Sequence, residues 1–127
     1  MHVLLIEPDC ILAPAYRGAL EVAGYSVDVV CSAQAAVHVA DTHTPDVVVL
    51  ELQLPAHNGV EFMYEFRSYT EWLHIPILVH SYIPPSEYEQ AITLYKELGV
   101  RGLLHKPATS LRQLIAAVRS VQPVQAV

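Results

Sequence analysis

The chain has 127 residues, 53% of them apolar, and a formal net charge of −6 at neutral pH. That length supports one domain with a single sizeable core. Its seven Lys and Arg, nowhere in a run, argue against direct nucleic-acid binding, and Glu, Asp, Pro or Gly interrupts every apolar stretch before the roughly 18 residues of a membrane span.

Short apolar runs alternate with longer helical patterns along the chain. His2–Ile6 is the first candidate strand, and Glu7, Pro8 and Asp9 follow it. From Leu12 to Ala23 the apolar residues 12, 16, 19, 20 and 23 keep a helical period, with Asp9 placed to cap the helix and Pro14 near its start, where a missing N–H costs little. Tyr25–Val30 alternates in polarity, as an edge strand does. Ser32 is an N-cap candidate for "AQAAVHVADTH". Asp46–Leu52 is the third strand; it carries Glu51 near its end and is followed by a loop with Pro55, Asn58 and Gly59. Gly59 opens a third helix near Val60–Tyr69. Pro76–Ser81 is the fourth strand, and Ser86 with Glu89 has the form of a capping box for a fourth helix ending at Gly99. Gly102–His105 is the fifth strand, leading into Lys106 and Pro107. Ser110 caps a last helix that places Leu111, Leu114, Ile115 and Val118 on one face. Residues 122–127 show no pattern and read as a frayed tail or the start of a linker.

The runs VLLI, VVVL and ILV are nearly continuous rather than alternating, which is the signature of parallel strands buried on both faces. Strand and helix alternating five times predict right-handed crossovers and an α/β sheet covered on both sides. In such sheets function sits beyond the carboxyl ends of the strands. The residues that converge there are Glu7, Asp9, Glu51, Ser81 and Lys106.

These pieces, "LLIEPD", "GYSVDVV", "PDVVVLELQLPAHNG", "IPILVHS" and "HKP", occur in the order and at the spacings of a known family. From Val3 to Val121 the chain resembles the receiver domain of bacterial two-component response regulators. The resemblance implies a flavodoxin-like, doubly wound five-stranded parallel sheet of order 2-1-3-4-5 with five helices, filling residues 1–121. It also implies phosphorylation of an acid at the end of the third strand, by a histidine kinase or a small phosphodonor, with Mg2+ bound by acids after the first strand. Phosphoryl transfer of this kind is mostly positioning and charge stabilisation. Lys106 stands at the family's lysine, Pro107 at a proline often preceded by a cis bond, Ser81 at its hydroxyl and Glu7 at its first acid. Gln53 stands where a backbone carbonyl completes the metal site.

Three positions depart from the pattern. Pro8 stands at the principal metal-binding acid, Glu51 at the phosphoacceptor aspartate, and Leu103 where many receivers carry an aromatic that swings inward. Glutamate moves its carboxylate outward by roughly one bond length, and a displacement of that order is costly in a positioned site. Glu7 and Glu51 against Lys106 leave one net negative charge, which predicts at most weak Mg2+ binding, and no other cofactor is expected. The expectation is therefore a signalling module rather than an enzyme, one that docks to a protein partner (a histidine kinase, an output domain or a downstream effector) without needing phosphorylation. Glu51 either imitates the phosphorylated state or marks a switch that has stopped working. The alternative is a receiver that still accepts a phosphoryl group with Mg2+. A flavodoxin-like cofactor binder is a weak third reading, because "EPDC" after the first strand has no glycines to let a phosphate approach.

The resemblance places partner contacts, a homodimer among them, on the face of the fourth helix, fifth strand and fifth helix, where Tyr88, Tyr95, Arg101 and Arg112 are candidates; the two tyrosines equally suit packing. His57, His80 and His105 fall near the carboxyl ends of the strands, and no two of the seven histidines have a chelating helical spacing. Cys10 and Cys31 show no CxxC spacing, and with no signal-peptide pattern in "MHVLLIEPD" they fit a reducing cytoplasm without a disulfide.

Overall fold

A computed structural model describes residues 1–121; the frayed tail expected at 122–127 lies outside the described residues. Five strands, β1 (His2–Ile6), β2 (Ser26–Val30), β3 (Val47–Leu50), β4 (Ile77–Ser81) and β5 (Val100–His105), alternate with five helices, α1 (Ala13–Val22), α2 (Ala33–Thr42), α3 (Gly59–Arg67), α4 (Ile92–Glu97) and α5 (Leu111–Ser120). All strand pairs are parallel and the order is β2-β1-β3-β4-β5. This is the doubly wound sheet expected from the sequence.

Every residue of β1, β3 and β4 is buried, because helices cover both faces of the inner strands. Alternation along the strands divides the core in two. Leu4, Ile6, Val48, Leu50, Ile77 and Val79 pack against Ala36 and Ala40 of α2, Phe62, Met63 and Phe66 of α3, and Tyr95 of α4. On the other face Val3, Leu5, Val47, Val49 and Leu78 meet Leu20 of α1 and Leu114 and Val118 of α5.

The helix starts are built largely as their side chains dictate. Ser32 accepts the N–H of Ala35, Asn58 that of Glu61, and Ser110 that of Gln113, whose amide oxygen accepts the Ser110 N–H in a full capping box. Asp9 Oδ1 accepts the N–H groups of Ile11 (2.8 Å) and Leu12 (3.0 Å), fixing the turn that leads into α1. The fourth helix corrects the sequence expectation. Pro84 is held extended and Pro85 opens a 3₁₀ turn over Pro85–Tyr88, so Ser86 and Glu89 form no capping box and α4 begins only at Ile92, without a side-chain cap.

Gly59 shows why the loop after β3 must end in glycine. A Cβ there would lie 2.7 Å from the Leu52 Cα, and the Gly59 N–H donates to the Leu52 carbonyl at 2.8 Å. That closure holds the residues after Glu51 tightly against the start of α3.

Candidate functional site

The carboxyl ends of β1, β3, β4 and β5 bring together Glu7, Glu51, Ser81 and Lys106, all buried. Lys106 Nζ lies between the two acids, 2.6 Å from Glu7 Oε1 and 2.9 Å from Glu51 Oε1. The three side chains retain only 3%, 2% and 3% of their exposure (Lys106, Glu7 and Glu51). Each acid also uses its second oxygen. Glu7 Oε2 accepts the Asp9 N–H at 3.1 Å, and Glu51 Oε2 accepts the Gln53 N–H at 3.1 Å. The carboxylates are thereby fixed by the backbone of the loops that follow their own strands, and by one shared ammonium.

Burial on its own favours the neutral form of Glu51, but the nearby Ser81 hydroxyl, Lys106 and the Gln53 N–H outweigh it and hold its pKa below the ordinary carboxylate value. For Lys106 burial likewise opposes the charge, and its bonds to Glu7 and Glu51 outweigh that and hold its pKa above the ordinary value. Both groups are charged across the neutral range.

Tyr82 follows Ser81 and places its ring against the ammonium, with Lys106 Nζ 4.8 Å from the ring centroid. His105 Nε2 donates to the Tyr82 carbonyl at 3.1 Å, which ties this segment to the end of β5. Neither contact follows from spacing in the sequence; the only signal was the position of Tyr82 just past a strand end. Among the described residues every peptide bond is trans, including the one preceding Pro107.

Other expected participants lie elsewhere. The Asp9 carboxylate faces the Ile11 and Leu12 N–H groups rather than the acid pocket, and these bonds lower its pKa. Pro8 adds no oxygen beyond its carbonyl. The Gln53 side chain is exposed. Leu103 is half buried, in a shallow groove between α4 and β5 lined also by Ile92, Tyr95 and Lys96. His57 pairs with Glu61 in solvent (2.9 Å), whereas His80 is buried against Tyr16, so no cluster forms among His57, His80 and His105. Cys10 and Cys31 are both free and exposed.

The tyrosines proposed as an interface need correction. Tyr88, closing the 3₁₀ turn, and Tyr95, on α4, are both buried and pack edge to face with ring centroids 5.5 Å apart. The Tyr88 hydroxyl faces Ser81 without a hydrogen bond of good geometry, and burial pushes its pKa up to about 12. Arg101 is exposed beside α4, whereas Arg112 lines a groove between α1 and α5 with Ala19, Ala23 and Ile115. The candidates therefore divide between the interior and two separate surfaces.

Comparison with known proteins bears on the family and the fold. The chain is 31% identical over 129 residues to the transcriptional regulatory protein KdpE of Mycobacterium tuberculosis, covering 96% of this chain and 56% of the relative, so it spans about half the length of that regulator. It is 25% identical over 118 residues to the polar-differentiation response regulator DivK of Brucella abortus, covering 93% of both chains. The chemotaxis protein CheY4 of Vibrio cholerae superposes with a TM-score of 0.84 at 24% identity, covering 94% of this chain and 97% of that one. The receiver domain of HemR from Leptospira biflexa gives 0.83 at 23% identity, with 99% and 97% covered. Among the described residues no helix is long and apolar enough to cross a membrane. Residues 3–119 match the response regulator receiver domain as a family, and with the sheet order described above the chain belongs to that family.

Proposed function

We propose that this receiver domain transmits its signal by docking to a protein partner and does not use Glu51 as a phosphoacceptor. The observation that carries the reading is the buried ion triad in which Lys106 bridges Glu7 and Glu51. The ammonium that would receive the oxygens of an incoming phosphoryl group is already neutralised by two carboxylates. Both acids have their remaining oxygen on a backbone N–H. Mg2+ takes a near-octahedral set of oxygens, normally with carboxylates free to approach it. Pro8 supplies no carboxylate and Asp9 is turned toward α1, so the residues present do not suit that ion.

In this reading Glu51 fills the pocket and holds the loops after β1 and β3 and the end of β5 in one arrangement. Partners would be proteins: a histidine kinase, an output domain or an effector, or a second copy of the chain through the α4–β5 surface that exposes Arg101. The half-buried Leu103 fits a fixed state better than a switching one, because no aromatic ring is there to move between positions.

Intact mass after incubation with acetyl phosphate and Mg2+ tests the reading. The native protein is expected to gain nothing, and a Pro8→Asp/Glu51→Asp variant to gain one phosphoryl group. A gain on the native protein restores an ordinary phosphorelay receiver and removes the proposal.

A further inference from the structure

At the opposite end of the sheet a second polar cluster has no part in the acid pocket. His2, Asp28 and His43 each offer one ligand atom, and these atoms lie within 4.8 Å of one another. His2 opens β1, Asp28 lies in the adjacent edge strand β2, and His43 caps the carboxyl end of α2. The sheet register explains the meeting. His2 pairs with Ser26, so the side chains of His2, Ser26 and Asp28 share the face on which α2 ends.

We propose that His2, Asp28 and His43 form a binding site for a divalent transition-metal ion, with Zn2+ the best match. Asp28 Oδ2 is 2.8 Å from His2 Nε2 and 3.1 Å from His43 Nδ1, so both imidazoles point at one carboxylate oxygen. The rings are stacked with centroids 3.7 Å apart and planes 19° apart, so one ion cannot lie in both ring planes until the exposed His43 side chain turns out of the stack, while the buried His2 ring stays in place. Zn2+ bonds to imidazole nitrogen and carboxylate oxygen are about 2.0–2.2 Å, so a tetrahedral ion separates its ligands by about 3.3 Å. The two spacings to Asp28 need to open by only a few tenths of an ångström, and the His43 rotation sets the third. Two imidazoles and one carboxylate select a borderline transition ion over Mg2+ or Ca2+, which take all-oxygen sets.

The surroundings are those of a built site. His2 is buried, and its other ring nitrogen lies 2.7 Å from Ser26 Oγ, the outer-shell contact that fixes the orientation of a ligating imidazole. The His2 N–H donates to Asp46 Oδ2 at 2.7 Å, which anchors the backbone and adds a second negative charge nearby. The His43 side chain is 59% exposed, and together with Asp28 it borders an open depression over Val39 and Thr42, giving an ion and its waters a path in. A bound ion would tie the start of β1, the middle of edge strand β2 and the end of α2 together.

Isothermal titration of EDTA-stripped full-length protein with ZnCl2 tests the site, supported by the visible absorption of bound Co2+. One equivalent is expected to bind with micromolar affinity and to raise the melting temperature. His43→Ala and Asp28→Asn, each at a side chain not needed for the core, are expected to weaken binding at least roughly tenfold while leaving the circular dichroism unchanged. His57→Ala, which removes the exposed His57–Glu61 pair, is expected to change nothing. Binding that is only millimolar, spread over several weak sites, or unchanged in His43→Ala overturns the proposal.

Discussion

Lys106 is the residue on which the strand-end pocket depends. Removing one partner of a buried ion pair leaves an uncompensated charge and costs roughly 3–5 kcal/mol. Lys106→Met leaves two buried carboxylates, Glu7 and Glu51, without their ammonium, so a loss of about that size is expected in urea unfolding. Glu51→Gln keeps the Lys106–Glu7 pair and an acceptor for the Gln53 N–H, and should cost clearly less. Equal losses for the two variants would show that the triad is not the unit that matters. The meeting of Glu51 and Lys106 was legible in the sequence, because both follow strands whose carboxyl ends converge. Glu7 was legible only as a metal-binding acid. Its ion pair with Lys106 is visible only once the three strand ends are set side by side.

At the scale of elements, the strands and most helix starts were written in local chemistry: continuous apolar runs for buried strands, and Ser32 and Ser110 for caps. The fourth helix was not, because the Pro84–Pro85 pair forms a 3₁₀ turn that consumes the apparent capping box. Nor was the role of Arg67 at the end of α3. Its guanidinium donates to the carbonyls of Leu98 (2.7 Å), Trp72 (2.7 Å) and Ile75 (2.5 Å), closing the ends of three segments at once. Burial, followed by the charge of Arg101, lowers its pKa, yet it stays charged. Such a hub leaves no sequence pattern, since its partners are carbonyls that every residue carries. Hydrogen bonds from a charged donor contribute about 1.5–3 kcal/mol each before relaxation, so Arg67→Ala should cost about 2–4 kcal/mol. Arg67→Lys should recover little, because a compact ammonium cannot span the three carbonyls that Nε, Nη1 and Nη2 reach separately. Full recovery in the lysine variant would reduce the role of Arg67 to simple charge.

The molecule as a whole carries its pH dependence in the same half of the sheet. His80 lies on β4 with its ring edge-on to Tyr16 at 4.9 Å, and its Nδ1 is buried without a hydrogen-bond partner among the described residues. Burial, reinforced by Lys106, lowers its pKa from 6.5 to about 4. The unfolded chain therefore binds a proton below about pH 6.5 that the folded chain refuses, and stability falls as pH drops from there toward 4. The shift corresponds to on the order of 3 kcal/mol. The depressed Glu51 adds a further loss as pH falls below its ordinary 4.5, and the raised Lys106 keeps its contribution until pH rises past its ordinary 10.5. Urea titrations should thus give a plateau between about pH 6.5 and 10 with a fall on the acid side, and His80→Phe should flatten the upper part of that fall. An unchanged acid limb in the variant would assign it to the carboxylates alone. Sequence placed His80 at a strand end but could not say which face it took, and the face decides whether a histidine is a switch or a buried neutral ring.

The bridge from Lys106 to two glutamates also sets the order in which this sequence can change. An acid introduced first at Pro8 would put a third carboxylate beside a single ammonium. An aspartate introduced first at Glu51 would pull one arm back from Lys106 and leave the ion half-paired. Either first step is expected to lower folding stability, because it unbalances a buried ion triad. Single substitutions at these positions are therefore expected to be poorly tolerated and paired changes to fare better, so the triad constrains how these positions can vary together.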